Sequence, residues 1–244
     1  GDTSNLYNDI YKLNLTTLEH VKVSNDQGEA RQSSYFGIYG SDIFIYGGVS
    51  SGGVYKTNLI KISLITLTKS EINPTYAPAE GRSDGSSVVF GNSMYLIGGR
   101  PVTGDYYDEI LELNLETYAF NNTNITLTTP VYAVSSVVIG SQILIYGGKP
   151  RSGTAKREMH IFNVSSTPRT IELRYQANPP PFAYGTTLVA KGDYVYFLGG
   201  RNIINQYLNL FYRLHVNSMV FENMNSTIPL QIFQDAGVMV GSTI

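Results

Sequence analysis

The stretch MYLIGG at residues 94–99, an apolar run closed by two glycines, decides the fold because it recurs along the chain. The other copies are IFIYGG at 43–48, ILIYGG at 143–148 and VYFLGG at 195–200. The paired glycines are Gly47 and Gly48, Gly98 and Gly99, Gly147 and Gly148, and Gly199 and Gly200. They lie 51, 49 and 52 residues apart. A period of about 50 residues is typical of units that bury their apolar faces only by stacking on neighbours, so we interpret these glycines as structural.

Each unit reads as four short strands, which we name a to d. Strand a is rich in small and β-branched residues, as at 86–90, and a Gly-x pair then opens a turn into strand b. Glycine in the first position of a two-residue loop is typical of a type II′ hairpin turn. Strand b ends at the double glycine. Strand c alternates with period 2, as at 11–15 and 111–115, which predicts one buried and one solvated face.

Strand d is weaker and follows strand c directly. No helical period is found in the chain, so the sequence predicts an all-β protein built from four-stranded antiparallel units, as in a β-propeller. The order of small-residue strand, Gly-x turn and double glycine, followed by segments such as DEILELNLETYAF (108–120), resembles the kelch repeat. The resemblance covers essentially the whole chain and implies a kelch-type β-propeller with about five blades' worth of sequence.

Two features depart from the kelch pattern. The chain has no tryptophan, and the arginine that often precedes strand a is kept only at Arg31 and Arg82. A WD40 propeller is the competing fold, but its period is shorter and its Gly-His and Trp-Asp pairs are missing here.

The repeat register predicts one propeller domain over residues 1–244. It consists of a partial blade at 1–30 with strands c and d, blades at about 31–78, 79–129, 130–180 and 181–230, and a partial blade at 231–244 with strand a and the start of strand b. The partial blades either complete each other in a five-bladed ring or belong to a longer propeller of six or seven blades. We expect the longer propeller, because a missing inner strand would leave backbone groups unpaired beside the core.

Composition excludes several classes of function. The net charge of −2 and the pI of 5.9 argue against a nucleic-acid partner, which needs a basic surface. The absence of cysteine excludes disulfides, thiol catalysis and thiolate metal sites. No apolar run approaches the roughly 18 residues that span a bilayer.

The residues favour a non-enzymatic protein without a cofactor or metal. Galactose oxidase, a kelch-like propeller enzyme, has a copper site with a tyrosine cross-linked to cysteine, which this chain cannot form. The histidines, His20, His160 and His215, fall in different blades. We expect His160 to pack in the core, because it aligns with core positions of strand c. A galactose-oxidase-like carbohydrate-active enzyme is the least favoured alternative.

Five Asn-x-Ser/Thr sequons predict N-glycosylation at the outer rim, in the half of each unit that holds strands c and d. They begin at Asn14, Asn121, Asn124, Asn163 and Asn225. Chance alone would supply roughly three in a chain so rich in Asn, Ser and Thr. Asn14 and Asn163 nevertheless take the same position in different blades. These positions predict a secreted or cell-surface glycoprotein, with a cytoplasmic kelch scaffold as the alternative.

The residue directly after the double glycine is a cation in three consecutive units. We name Arg100, Lys149 and Arg201 the cation row. The loops between strands b and c emerge together on one face of a propeller, and loops on a rigid scaffold often carry recognition. Further candidates in the same loops are Arg151, Arg157, Tyr106 and Tyr107. Cations among tyrosines suit an acidic peptide or an acidic glycan, whereas the simpler explanation is a surface kept soluble by charge.

The sequence therefore predicts a non-enzymatic interaction module that binds a protein or acidic glycan through its b–c loop face. An intracellular kelch scaffold for protein partners is the alternative. Self-assembly is also open, because the exposed edge of an incomplete propeller can pair with other strands.

Overall fold

A computed structural model describes residues 6–24, 29–181 and 183–226 of the chain. Almost all regular structure there is antiparallel strand, and a 3-10 turn at Ser51–Gly53 is the exception. Within these ranges, no helix has the length and apolar character needed to cross a membrane. The C-terminal partial blade predicted at 231–244 lies outside the described residues.

The strands fall into short paired ladders and full blades. In chain order they are β1 Ile10–Leu13, β2 His20–Ser24, β3 Arg31–Gln32, β4 Tyr35–Tyr39, β5 Asp42–Tyr46, β6 Val49–Ser50, β7 Leu59–Ser63, β8 Lys69–Ile72, β9 Ser86–Phe90, β10 Ser93–Ile97, β11 Glu109–Asn114, β12 Phe120–Thr126, β13 Ser135–Ile139, β14 Gln142–Tyr146, β15 Met159–Asn163, β16 Thr170–Arg174, β17 Thr187–Lys191, β18 Tyr194–Leu198, β19 Phe211–His215 and β20 Val220–Asn223. β1 pairs with β2, and β3 pairs with β6.

The remaining strands form four four-stranded antiparallel sheets, which we name blades 1 to 4. Their orders are β4-β5-β7-β8, β9-β10-β11-β12, β13-β14-β15-β16 and β17-β18-β19-β20. The four-stranded antiparallel blades predicted for a kelch-type propeller are confirmed, and their strands a to d follow one another in chain order. Where each blade begins and ends along the connecting loops stays a prediction.

The turn between strands a and b has the predicted form. In blade 2, Phe90 pairs with Ser93, so the loop consists of Gly91 and Asn92 alone. Gly91 has φ +62° and Asn92 does not have a positive φ, as a type II′ turn requires. A Cβ at Gly91 would meet no atom within 4 Å, so backbone conformation and not space demands glycine here.

The core lies between blades, and this corrects one expectation. Strand c was predicted to have a solvated face, but Ile110 and Leu111, on opposite faces of β11, are 0% and 6% exposed. Blade 2 is covered on both sides, because separate apolar clusters join it to blade 1 and to blade 3. On β1, by contrast, Tyr11 and Leu13 of the predicted core face are 54% and 51% exposed. In the described ranges, neither residue belongs to an apolar cluster that joins two blades.

Candidate functional site

The double glycine joins each blade to the next and sets the position of the residue that follows. The amide of Gly99 donates a hydrogen bond of 2.8 Å to the carbonyl of Val131, which leads into blade 3. Gly99 has φ +104°, and a Cβ there would overlap the Tyr35 hydroxyl and lie 2.7 Å from the carbonyl oxygen of Ser83. Only glycine fits here, since a Cβ would displace Tyr35 of blade 1 and the backbone before strand a of its own blade.

The three cations of the row occupy equivalent places in blades 2, 3 and 4. Each exchanges two backbone hydrogen bonds, 2.8 to 3.1 Å long, with the residue three positions before strand a of its own blade. The pairs are Arg100 with Ser83, Lys149 with Tyr132, and Arg201 with Tyr184. In blade 1 the same place is held by Val49, which pairs with Gln32. The row is therefore one repeated geometric feature that blade 1 lacks.

Two tyrosines that sequence reasoning missed lie against the row. The Arg100 guanidinium is 5.7 Å from the ring centre of Tyr132, and the Lys149 ammonium is 5.1 Å from that of Tyr184. The rings follow one another across blades, with centres 5.2 Å apart from Tyr106 to Tyr132 and 5.8 Å apart from Tyr132 to Tyr184. Each of these two cations thus packs on a ring supplied by the next blade. Both tyrosines stand three residues before strand a, and this shared position is a signal from which the sequence could have predicted them.

The Tyr132 phenol is protonated at physiological pH. Burial, with a smaller contribution from Tyr184, raises the pKa of Tyr132 to about 12. A protonated phenol keeps the ring face available to a cation and carries no negative charge that would attract it further. The ring of Tyr132 therefore adds no negative charge beside the cations of the row.

Asn205 connects Lys149 and Arg201. Its side-chain oxygen accepts hydrogen bonds from the Tyr184 hydroxyl at 2.5 Å and from the Lys149 ammonium at 3.3 Å. Its backbone carbonyl accepts two more from the Arg201 guanidinium, at 3.2 and 3.1 Å. Asn205 has φ +64°, which asparagine tolerates better than most residues. One loop residue therefore positions two cations of the row, through contacts that no local sequence pattern indicates.

Arg100 is paired with a carboxylate of its own blade. Its Nε lies 2.6 Å from Oδ2 of Asp84, whose side chain is only 8% exposed. The same carboxylate accepts a hydrogen bond of 2.8 Å from the Ser83 hydroxyl. Sequence reasoning treated the cations as equal, whereas the fold brings an acidic residue 16 positions away onto one of them.

Arg151 and Tyr106 lie beside the row. Together with Arg100 and Tyr55 they line a cleft of about 340 Å³ formed by the b–c loops of blades 1, 2 and 3. The Arg151 guanidinium donates to the backbone carbonyl of Gly104 across this cleft. Two guanidinium groups and two tyrosines thus converge on one open volume.

Arg157 and Tyr107 are placed elsewhere. Arg157 lines a separate cleft of about 410 Å³ with Lys156 and Tyr175. The ring of Tyr107 packs 4.1 Å from the guanidinium of Arg82, which is 1% exposed. The structure therefore brings Tyr106 and Arg151 to the row, and does not bring Arg157 and Tyr107 there.

Asn14 lies in a c–d turn, and Asn163 is the last residue of strand c in blade 3. The other sequon asparagines lie in or just after strand d. Asn14, Asn121, Asn124 and Asn225 are exposed, and Asn163 is half-buried; the sequon of Asn225 extends to residue 227, outside the described residues. The Asn14 side chain accepts hydrogen bonds from the amides two and three residues on, at 2.9 and 3.2 Å. Asn114, which is not part of a sequon, makes the same turn in blade 2. Turn formation alone therefore accounts for asparagine at this position.

The histidines do not form a site in the part of the chain that the structure describes. His160 is 5% exposed, which confirms the prediction that it packs in the core. Burial lowers its pKa, and Nε2 lies 3.2 Å from the Thr128 hydroxyl. Among the described residues, no group of three or more His, Cys, Asp or Glu side chains could hold a metal ion. The absence of a cofactor stays a prediction.

The blades, the tight a–b turns and the displayed b–c loops define a kelch-type β-propeller. The family model of the KLHDC2/KLHL20/DRC7 Kelch-repeats domain matches residues 53–243, and the chain belongs to this kelch-repeat family. Kelch-repeat domains are generally non-enzymatic modules that bind protein partners, and members of the family are often intracellular. A search of curated proteins found no significant match.

Proposed function

We propose that this kelch propeller is a non-enzymatic interaction module that binds an acidic segment of a partner protein through the cation row and the cleft beside it. The observation that carries this proposal is the repeated pairing of cation and ring. Arg100 and Lys149 pack on tyrosines of the next blade, and Arg201 lies 4.7 Å from the ring centre of Tyr207. A cation held against a ring is partly desolvated, so its hydrogen bond to a carboxylate is strengthened.

The same arrangement supports binding by a largely preformed surface. Two backbone hydrogen bonds hold each cation of the row to its own blade, and Asn205 limits the freedom of Lys149 and Arg201. A long cationic side chain that is already ordered loses less conformational entropy when a partner binds. Rigid display of loops is thus the mechanism that fits the fold.

The test reverses one charge on each face of the propeller. Lys149→Glu should weaken binding of a fluorescein-labelled peptide of alternating Glu and Gly by about tenfold or more, because attraction becomes repulsion at the row. Lys191→Glu is the matched control, since Lys191 ends β17 beside an a–b turn, at the opposite end of the blade. It should change the affinity by less than about twofold, because screening removes distant surface charge. Equal affinity of both variants and the native protein in fluorescence anisotropy would exclude the row as the binding surface.

An acidic glycan is the second ligand class to compare. The same two variants are titrated with a sulfated heparin fragment by calorimetry. Binding of the heparin fragment that Lys149→Glu abolishes, with no binding of the acidic peptide, would assign the face to a glycan in place of a protein segment.

For the cellular setting, the prediction of a secreted or cell-surface glycoprotein stands beside an intracellular scaffold. Exposure of four of the five sequon asparagines supports access by a glycosyl transferase, while the frequent intracellular location of family members favours the scaffold. Mass spectrometry of the native protein separates them: hexosamine on any of the five asparagines supports secretion, and five bare asparagines support the scaffold. Self-association through exposed edges also stays a prediction.

A further inference from the structure

Asp84 makes the surroundings of Arg100 unlike those of Lys149. Asp84 lies two residues before strand a of blade 2, and its Oδ2 lies 2.6 Å from Nε of Arg100. The equivalent residues in the other three blades are Ser33, Ala133 and Gly185. All four have a positive φ, between +49° and +63°.

Backbone hydrogen bonds show that these four positions are equivalent. The amide of Asp84 donates to the carbonyl of Ser33 at 2.9 Å, that of Ala133 donates to Asp84 at 2.6 Å, and that of Gly185 donates to Ala133 at 2.7 Å. The same backbone joint thus links blades 1 to 4, and only blade 2 carries a carboxylate on it. Alanine and glycine at this place cannot supply an equivalent counter-ion to Lys149 or Arg201.

The charge of the row is therefore uneven. Arg100 is compensated by Asp84, whereas the partners of Lys149 among the described residues are the ring of Tyr184 and the side-chain oxygen of Asn205. An incoming carboxylate that reached Arg100 would also meet the negative charge of Asp84. A like charge some 6 Å away weakens such binding by about 3- to 10-fold in a partly solvated setting.

We propose that Asp84 is a built-in counter-ion that positions Arg100 and lowers its attraction for anions, so that Lys149 receives the acidic group of the partner. This inference rests on the proposed function of the row. It identifies which cation of the row binds the acidic group. Asp84 holds the Arg100 side chain in place through the hydrogen bond from Nε. Its negative charge also prevents a weakly acidic ligand from binding at Arg100.

Asp84→Asn tests this directly, because asparagine tolerates the positive φ and its side-chain oxygen can still accept the hydrogen bonds of Arg100 and Ser83. Only the charge is removed. The labelled Glu-Gly peptide should bind about 3- to 10-fold more tightly at about 0.15 M salt. The matched control is Asp105→Asn, an exposed aspartate in the b–c loop of the same blade, which should change the affinity by less than about twofold. An equal gain in affinity in both variants, or no gain in Asp84→Asn, would contradict the role of Asp84 as a counter-ion.

A double variant keeps the proposal testable if Asp84→Asn alone disturbs folding. In Asp84→Asn with Arg100→Gln, both charges of the pair are removed, and the affinity should stay within about twofold of the native value, while Lys149→Gln should lose about fivefold or more. A double variant that loses as much as Lys149→Gln would contradict the proposal. If neither Lys149 variant changes binding, the proposed function fails; if Lys149 matters but Asp84 does not, only the counter-ion inference fails.

Discussion

Two different constraints require glycine at particular positions of this chain. Gly91 needs a positive φ in an open turn, whereas Gly99 needs both a positive φ and the space where a Cβ would strike Tyr35 and Ser83. Both belong to the recurring pattern in the sequence, which cannot tell them apart. The difference becomes visible only when the neighbouring blade is in place.

Alanine substitutions separate these two constraints. Gly99→Ala should lower the free energy of unfolding by about 3 kcal/mol or more, because strain at φ adds to displacement of the Tyr35 side chain of blade 1 and of the Ser83 carbonyl. Gly91→Ala, the control, should cost only about 1 to 2 kcal/mol, since its Cβ meets open space and only the backbone is strained. Urea denaturation of the two variants measures this. Equal losses would contradict the role of the double glycine as a joint.

Single elements are also tied to the next blade through charged groups. Glu112 on β11 accepts two hydrogen bonds, of 2.9 and 3.1 Å, from the guanidinium of Arg169 in the c–d connection of blade 3. It also accepts one from Asn121 at 3.2 Å and one from the Tyr95 hydroxyl at 3.1 Å. The Glu112 side chain is 12% exposed, so this ion pair is better shielded from water than one on the surface.

Glu112→Gln should lower the free energy of unfolding by about 1 to 2 kcal/mol, because a partly buried arginine loses its charged partner. Glu172→Gln is the control: Glu172 pairs with Arg174, but both side chains are about half exposed, so its loss should be below about 0.5 kcal/mol. Chemical denaturation at pH 7 gives both values. A loss as small as that of the control would show that the pair adds nothing to the blade contact.

The pH dependence gives a second measure of the same pair. Burial acts to raise the pKa of Glu112, but hydrogen bonds from Arg169 and other donors outweigh it and lower the pKa below its ordinary value of 4.5. The folded form therefore binds fewer protons than the unfolded form. The contribution is full above pH 4.5 and is lost as the pH falls through the folded pKa. The difference in stability between native protein and Glu112→Gln should shrink over that range.

At the scale of the whole molecule, stability comes from stacked blades more than from any one blade. Phe162 of β15 is fully buried, and its ring lies 5.7 Å from that of Tyr95 in blade 2 at an angle of 76°. Such clusters join blades 1 with 2, 2 with 3, and 3 with 4. In a repeat array each unit contacts only its neighbours, so damage at one interface should be felt first by the two blades it joins.

Phe162→Ala should lower the free energy of unfolding by about 3 to 5 kcal/mol, through lost burial and a remaining cavity. Hydrogen exchange should accelerate most in β10, β11, β14 and β15, on the two sides of the cavity. Phe36→Ala is the control, because Phe36 is 51% exposed on β4, and it should cost less than about 1 kcal/mol. An equal acceleration in all blades would contradict a nearest-neighbour array.

The sequence by itself determined the strands, the turns and the class of fold. Period-2 alternation and a glycine at the start of a two-residue loop act within a few residues, so strands such as β9 and β13 could be located without a structure. The cation row was found in the same way, from the register of the double glycine. Even the packed state of His160 followed from its alignment with core positions.

Only the tertiary structure decided what surrounds these residues. It buried both faces of β11, placed Tyr132 and Tyr184 against the cations of neighbouring blades, and paired Asp84 with Arg100. The ion pair and the cation–ring contacts join residues 16 to 35 positions apart, and they arise only when the blades pack against one another. A local sequence pattern does not encode this packing, because burial, ion pairing and ring contacts depend on which blade is adjacent.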